Sequence, residues 1–435
     1  MNLPINNETL QKILTEMDIV HISDATIRQC CAVAKALEDV SETKFSHLEI
    51  GVPGLKACQM GVEAQKRALN EGVASIYPNI AGIPELKQNA SEFIKAFLNQ
   101  DIEPKCIIPT VGSMQGSFNL ILQCSRLHKD KDTILYINPG FPPHMLHSHV
   151  LGIKQESFDI YGYRGEKLKE KLEEYLSNGH ISAIIYSNPN NPAWICLTEE
   201  ELKILGECAN KYDVIILEDL AYMGMDFRKD ISVPFKAPFQ STVANYTDNY
   251  ILMMSASKIF SYAGERISLV AFSNKLYKRE YKQLKELYGI GRMGDSFTLT
   301  FLYIASSGTS HSAQYAMSAM LKAAVSGEYN FVKETKEYAR RANRVKELFT
   351  KYGFNIVYDK DGETNIGDGF FFTVGYKNMG NDELLAKLLR CGIATISLKT
   401  TGSCQFGVRV SVSALSDEKD MQTLEERLKL FVELQ

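Results

Sequence analysis

The chain has 435 residues, a formal net charge of −4 and 23% charged residues. That length exceeds what one hydrophobic core usually fills, so a large unit accompanied by a smaller one is expected. The balance of charge offers no field for nucleic acid or an anionic membrane, so any anion site has to be local. Nine cysteines, of which only Cys30 and Cys31 lie close together, make no CxxC pair and no disulfide framework, a pattern that suits the reducing cytoplasm. The first twenty residues carry acidic groups and no continuous apolar run, and so read as neither a signal peptide nor a membrane span.

In chain order, residues 8 to 40 have apolar positions at helical spacing (Leu10, Ile13, Leu14, Met17), with Ala25 to Leu37 as a second amphipathic segment. FSHLEIGVPG (45 to 54) is a short strand ending at Gly51. Helices follow at about 57 to 71 and at 84 to 98, the second entered through a Gly-Ile-Pro-Glu turn. From residue 106 strands and helices alternate. CIIPTV (106 to 111) is a strand, GSMQG a turn and 117 to 127 a helix. TILYIN, ISAIIYSN, VIILED and the runs 250 to 254 and 267 to 272 are strands, and helices are expected at 165 to 178 and 198 to 212. This alternation implies an α/β unit with a mostly parallel sheet, which places ligands at the carboxyl ends of strands. After residue 275 come a charged helix to 288, an irregular section 289 to 311, helices at 312 to 325 and 328 to 352, and shorter strands mixed with helices 381 to 390 and 417 to 434. That part reads as a smaller α+β unit.

At the carboxyl ends of the predicted strands stand Gly112, Ser113, Phe141, the cluster 188 to 192, Asp219, Tyr222, Ser255, Ser257, Lys258 and Arg266. Singly these are helix caps, turn residues and packed aromatics. Together they suit a phosphorylated aromatic cofactor. The backbone N–H groups opening the helix at Gly112, Ser113 and Met114, with Arg266 and a hydroxyl of Ser255 or Ser257, form a dianion site. Phe141 offers a face for a heteroaromatic ring, Asp219 keeps a ring nitrogen protonated, and Asn191 and Tyr222 donate to a ring oxygen. Lys258 is the amine that condenses with an aldehyde. Pyridoxal 5′-phosphate needs these groups.

The motifs stand as SxSKxFxxxGxR at Ser255, Ser257, Lys258, Phe260, Gly264 and Arg266, DxAY at Asp219, Ala221 and Tyr222, and NPxNP at Asn188, Pro189, Asn191 and Pro192. On these the chain resembles the fold type I pyridoxal-phosphate enzymes of the class I/II aminotransferase branch, over most of its length. The resemblance implies a three-layer αβα large domain at 52–310 that binds the cofactor, and a small domain formed by 1–51 and 311–435. It implies transfer of the α-amino group of an L-amino acid to a 2-oxo acid, with Lys258, Asp219 and Tyr222 catalytic. SIYPNIAGIPEL resembles the family's YPxxxGxxEL segment, which implies that Tyr77 reaches the neighbouring subunit's cofactor phosphate in a homodimer. Arg409 sits where the family grips the substrate α-carboxylate, with Gly51 and Asn191 lining the same pocket; strand alternation alone would turn Arg409 to water.

The chain departs from the pattern where Ala193 and Trp194, the only tryptophan, follow NPxNP in place of Thr-Gly, and where Ser268 replaces a glycine. An atypical subfamily with an altered pocket wall is expected. Arg292 is left as a solvated loop residue. His144, His147 and His149 have a loose metal-like spacing without supporting ligands, and no metal is expected. The shared motifs serve C–S β-elimination or decarboxylation equally, so either is the alternative. A DNA-binding regulator built on this fold is disfavoured, because the first forty residues are too short and insufficiently basic.

Overall fold

The computed structural model describes residues 4–433; residues 1–3 and 434–435 of the expected small domain lie outside the described residues. Helices α1 (Asn7–Glu16) and α2 (Ile27–Ser41) lead in, and α2 starts on a capping box in which Thr26 and Gln29 satisfy each other's backbone N–H groups. A two-residue strand, β1 (Ser46–His47), precedes helices α3 (Gln59–Asn70) and α4 (Pro84–Leu98).

Seven strands then build the main sheet: β2 (Ile107–Val111), β3 (Thr133–Asn138), β4 (Lys154–Asp159), β5 (Ile181–Ser187), β6 (Ile215–Asp219), β7 (Tyr250–Ser255) and β8 (Ile267–Phe272). Their order is β2-β8-β7-β6-β5-β3-β4, and all neighbours are parallel except that β8 runs antiparallel to both β2 and β7. The central strands are apolar runs buried on both faces, as helix-covered parallel strands must be. The covering helices include α5 (Gly112–Cys124), α6 (Pro142–Leu151), α7 (Glu166–Leu176) and α8 (Glu199–Tyr212); a single turn of helix, α9 (Ala256–Ile259), follows β7. The expected α/β architecture with a mostly parallel sheet is therefore present.

A second sheet takes β9 (Asn355–Ile356), β12 (Phe371–Gly375), β14 (Ile396–Ser397) and β15 (Val408–Ser411) in the antiparallel order β14-β15-β12-β9. Between β9 and β12 lies a hairpin of β10 (Lys360–Asp361) and β11 (Thr364–Asn365), and β13 (Ile393–Ala394) pairs in parallel with β1. That pairing ties the N-terminal segment to the C-terminal part of the chain.

Several elements differ from expectation, each for a physical reason. GSMQG is not a turn: Gly112, at φ +66°, carries the chain directly from β2 into α5, so the small residues are the helix's first turn. Section 289 to 311 is mostly helical, with Met293–Ser296 and Tyr303–Ser306 joined through a π-helical stretch, Phe297–Leu302. The helix expected at 275 to 288 is broken into Asn274–Lys278 and Lys282–Tyr288. Strand β4 and helix α6 were not foreseen. β4 lies at the sheet edge and reads KQESFD, its first residues facing solvent, so it lacks the apolar signature of its neighbours.

Candidate active site

The carboxyl ends of β5, β6 and β7 and the N-terminus of α5 face one cleft. Its inner cavity, of about 400 Å³, is lined by Ser113, Asp219, Ser255, Ser257, Lys258 and Arg266 among others. An outer chamber of about 700 Å³ adjoins it and includes Arg409. Gly51, Met114, Phe141, Asn191, Tyr222 and Lys258 line both.

Lys258 sits on α9, where the Ser255 hydroxyl caps the helix by accepting from the Ser257 N–H at 3.1 Å. Its amine donates to the carbonyl oxygen of Gly51 and lies 5.2 Å from the Phe370 ring centroid. Burial, with Arg409 and then Arg266 adding positive charge, brings the amine down from 10.5 to about 7. A large fraction is therefore neutral, and so nucleophilic and basic, near neutral pH.

Asp219 ends β6 and is buried. One oxygen accepts from the Ala221 N–H at 3.0 Å, and the other stands 3.7 Å from His144 Nε2. Burial raises the carboxyl to about 7, with the Ala221 N–H pulling the other way. His144 is held neutral by burial and by its neighbour His147, down at about 3, so its contact with Asp219 is not an ion pair. His147 in turn meets the Ser117 hydroxyl at 3.1 Å. Two of the three histidines thus brace Asp219 and α5 from helix α6. Reasoning from the sequence weighed them only as metal ligands; their i, i+3 spacing on a helix was the available signal.

At the start of α5, Arg266 donates to the Ala263 carbonyl at 2.9 Å and lies over Gly112, where a Cβ would come within 2.2 Å of its Nη2. Only glycine leaves room for the guanidinium at the start of α5. Ser113 shares a hydrogen bond of 3.2 Å with Ser268, which β8 places directly across from Ser255. The residue flagged as a departure therefore supports the hydroxyl cluster instead of standing apart from it.

Arg409 is buried, contrary to the bare strand reading, because β15 lies inside its sheet and the side chain crosses to the cleft. It donates to Asn191 Oδ1 at 3.1 Å and to the carbonyl oxygen of Glu49, and its guanidinium packs 4.4 Å from the Phe371 ring centroid. Its Nε has no hydrogen-bond partner among the described residues. Burial, partly offset by Tyr222 and Glu49, lowers it to about 10, which leaves it charged. Asn191 has its oxygen occupied by Arg409, while its amide nitrogen and the Tyr222 hydroxyl lack partners among the described residues. Gly51 has no room for a side chain, since a Cβ would meet the Phe371 ring at 2.8 Å.

Trp194 is wholly buried at φ +64°, with its indole 5.4 Å from Tyr222 and 6.3 Å from Phe371 by ring centroids. Gly369 makes space for it: a Cβ there would lie 1.9 Å from the indole. The tryptophan is thus not itself a pocket wall but the backing of two residues that are. One predicted group stands outside the cleft: Tyr77 is 91% exposed and lines neither cavity. Arg292, expected as a solvated residue, pairs with Asp295 at 3.1 Å on the surface.

The donor set fits the cofactor chemistry inferred from the motifs: an amine of depressed basicity, a buried carboxyl, two unpartnered donors, and a helix N-terminus crossed by a guanidinium.

Residues 44–428 match the model of the family described as aminotransferase class I and II. Over 235 residues, 53% of the chain, it is 30% identical to a probable aspartate aminotransferase of Methanocaldococcus jannaschii, covering 58% of that protein. It is 29% identical over 266 residues, 61% of the chain, to the aspartate aminotransferase of Pyrococcus horikoshii, covering 63% of it. Both alignments span less than two thirds of the relative's own length. Among solved structures, alanine aminotransferase from Pyrococcus furiosus superposes with a TM-score of 0.74 at 18% identity, over 94% of this chain and 97% of that one, a likeness of fold.

Proposed function

The chain belongs to the aminotransferase class I and II family, and on that footing we propose that it moves the α-amino group of an L-amino acid to a 2-oxo acid with pyridoxal 5′-phosphate as cofactor. The observation that carries the reading is the amine of Lys258, brought to about 7 within a cleft that also holds Asp219 and Arg409.

When bound, the cofactor supplies an aldehyde for exchange of amines and a ring that takes up the electron pair left on a deprotonated carbon. The chain's own residues do the rest. The N-terminus of α5 at Gly112, Ser113 and Met114, with Ser255, Ser257 and Arg266, holds the phosphate. Phe141 would pack against the ring, and Asn191 Nδ2 and Tyr222 Oη would be the donors for its oxygen. Asp219 holds a proton on the ring nitrogen; a cation against it draws the carboxyl back to its ionised form. Arg409 receives the substrate α-carboxylate beside Gly51 and Asn191. Lys258 Nζ would take the proton from the substrate Cα and hand it to the cofactor carbon that keeps the amine, as a base can whose proton affinity is matched to neutral pH.

We also propose a homodimer with shared sites. Supporting it, Tyr77 is 91% exposed, and Ile76, Leu299 and Ile304 are exposed large apolar side chains. The domain division proposed is 52–310 against 1–51 with 311–435; the packing of helix His311–Val325 along α3 and α4 supports a boundary after that helix instead. A cytoplasmic location is supported by nine free thiols, most of them buried; among the described residues no helix is long and apolar enough to cross a membrane.

The deciding experiment mixes the purified, cofactor-loaded protein with an amino acid and no 2-oxo acid. One stoichiometric spectral change of the cofactor, reversed by a 2-oxo acid, is expected. Continuous release of ammonia and pyruvate from cysteine-type substrates would assign the site to β-elimination instead.

A further inference from the structure

We infer that the outer chamber receives a large apolar side chain, so that the preferred donor is an L-amino acid of the aromatic, branched-aliphatic or thioether class and not a dicarboxylate. The inference rests on the amino-transfer reading above and goes on to name its substrate class. With the inner cavity given to the cofactor, the chamber of about 700 Å³ is where a side chain on the carbon beside Lys258 has room to extend. Ile27 and Ile50 face it from the N-terminal segment, Pro143, Met145 and Leu146 from α6, and Phe371 from β12. Met114 and Leu146, at 37% and 46% exposure, leave apolar surface uncovered by the chain around the cleft. Such surface is what a hydrophobic ligand would remove from water.

The charged groups in the chamber argue the same way. Asp24 is already paired with Lys399 at 2.7 Å. Arg409 is taken up with the α-carboxylate. Arg28 remains, exposed on the first turn of α2 and without an ion pair among the described residues. Thr26, His149, Gln155 and Thr400 also line the chamber, but its lining surface is mostly apolar. A solvated guanidinium attracts a distal carboxylate weakly, whereas apolar walls discriminate by each methylene they cover. Arg292, the other arginine that invites such a role, is committed to Asp295.

The test uses the cofactor-loaded enzyme and two unreactive carboxylates, 3-phenylpropionate and succinate, with binding read from the cofactor absorbance and from the fluorescence of Trp194, the one tryptophan of the chain. Binding of 3-phenylpropionate at least about tenfold tighter than succinate is expected. Leu146→Gln, on a partly exposed side of α6 where the fold tolerates it, should erase most of that difference while leaving succinate binding in place. Tighter binding of succinate, lost in Arg28→Gln, would overturn the inference and assign the chamber to dicarboxylates; equal binding, or none, would also overturn it. The amino-transfer reading fails separately, if neither phenylalanine nor aspartate nor alanine changes the cofactor spectrum at any concentration.

Discussion

The two ends of the cleft are built on opposite principles. At the inner end the polar groups are fixed by a neighbour and carried at strand ends or at the start of α5: Asp219 on the Ala221 N–H, Ser255 on the Ser257 N–H, Ser113 on Ser268. At the outer end the walls are apolar and come from the N-terminal segment, α6 and β12, with few hydrogen bonds to hold them. Chemistry that must be the same for every substrate is held by directional bonds on rigid strands. Selection among substrates is left to surfaces that can change one side chain at a time without disturbing the reaction.

Substitutions should separate the two ends. Lys258→Ala removes the proton carrier and should lower turnover by roughly a thousandfold or more, with cofactor still held by the phosphate contacts and detectable after gel filtration. Asp219→Ala should cost about a hundredfold or more in kcat and shift the absorbance of bound cofactor; an unchanged spectrum would break the assignment of that carboxylate to the ring nitrogen. Arg409→Gln should raise KM for every amino acid by about ten- to a hundredfold, the worth of a charged hydrogen-bonded contact of about 1.5–3 kcal/mol, without altering the ranking of donors. A change in ranking would mean that the carboxylate grip and the chamber are not independent.

A pH profile sharpens the same contrast. Lys258 is lowered from 10.5 to about 7, and the neutral amine is the nucleophile. Uptake of pyridoxal phosphate by the apoprotein should therefore quicken as pH rises through about 7 and level off above it, in stopped-flow absorbance. A rise that continues toward pH 10 would show the amine to be unperturbed. The smallest effect on turnover is expected for Trp194→Gly. Removing the indole opens a cavity worth about 3–5 kcal/mol, more than the roughly 1–3 kcal/mol released by relieving a positive φ at a non-glycine residue. The melting temperature should fall, and KM for bulky donors should drift as Phe371 and Tyr222 lose their backing.

The inner end was readable because its residues recur at fixed spacings within short stretches: Lys258 and Arg266 in one segment, Asp219 and Tyr222 in another. The alternation of strands and helices and the mostly parallel sheet followed from apolar runs such as ISAIIYS. Reading stopped where the signal was not local. Strand β4 has a polar edge sequence, α6 begins with two prolines that look like a turn, and the histidines it carries matter only because α6 packs over Asp219. The chamber walls Ile27, Met145 and Phe371 are ordinary apolar residues on three separate elements, and tertiary packing alone makes them neighbours.

The antiparallel run of β8 has a metric consequence. Because the chain leaves β7, makes the single turn α9 and returns along β8, Lys258 and Arg266 emerge at the same edge of the sheet, joined by a short arc of backbone. The span between the reacting carbon and the phosphorus of a cofactor is a constant of that molecule, so under the proposed assignment this arc would work as a caliper set to it. Residues 261 to 266 include exposed positions that would absorb an inserted residue without harm to the core. An insertion there would reset the caliper, leaving a folded protein whose amine and phosphate clamp no longer measure the same object.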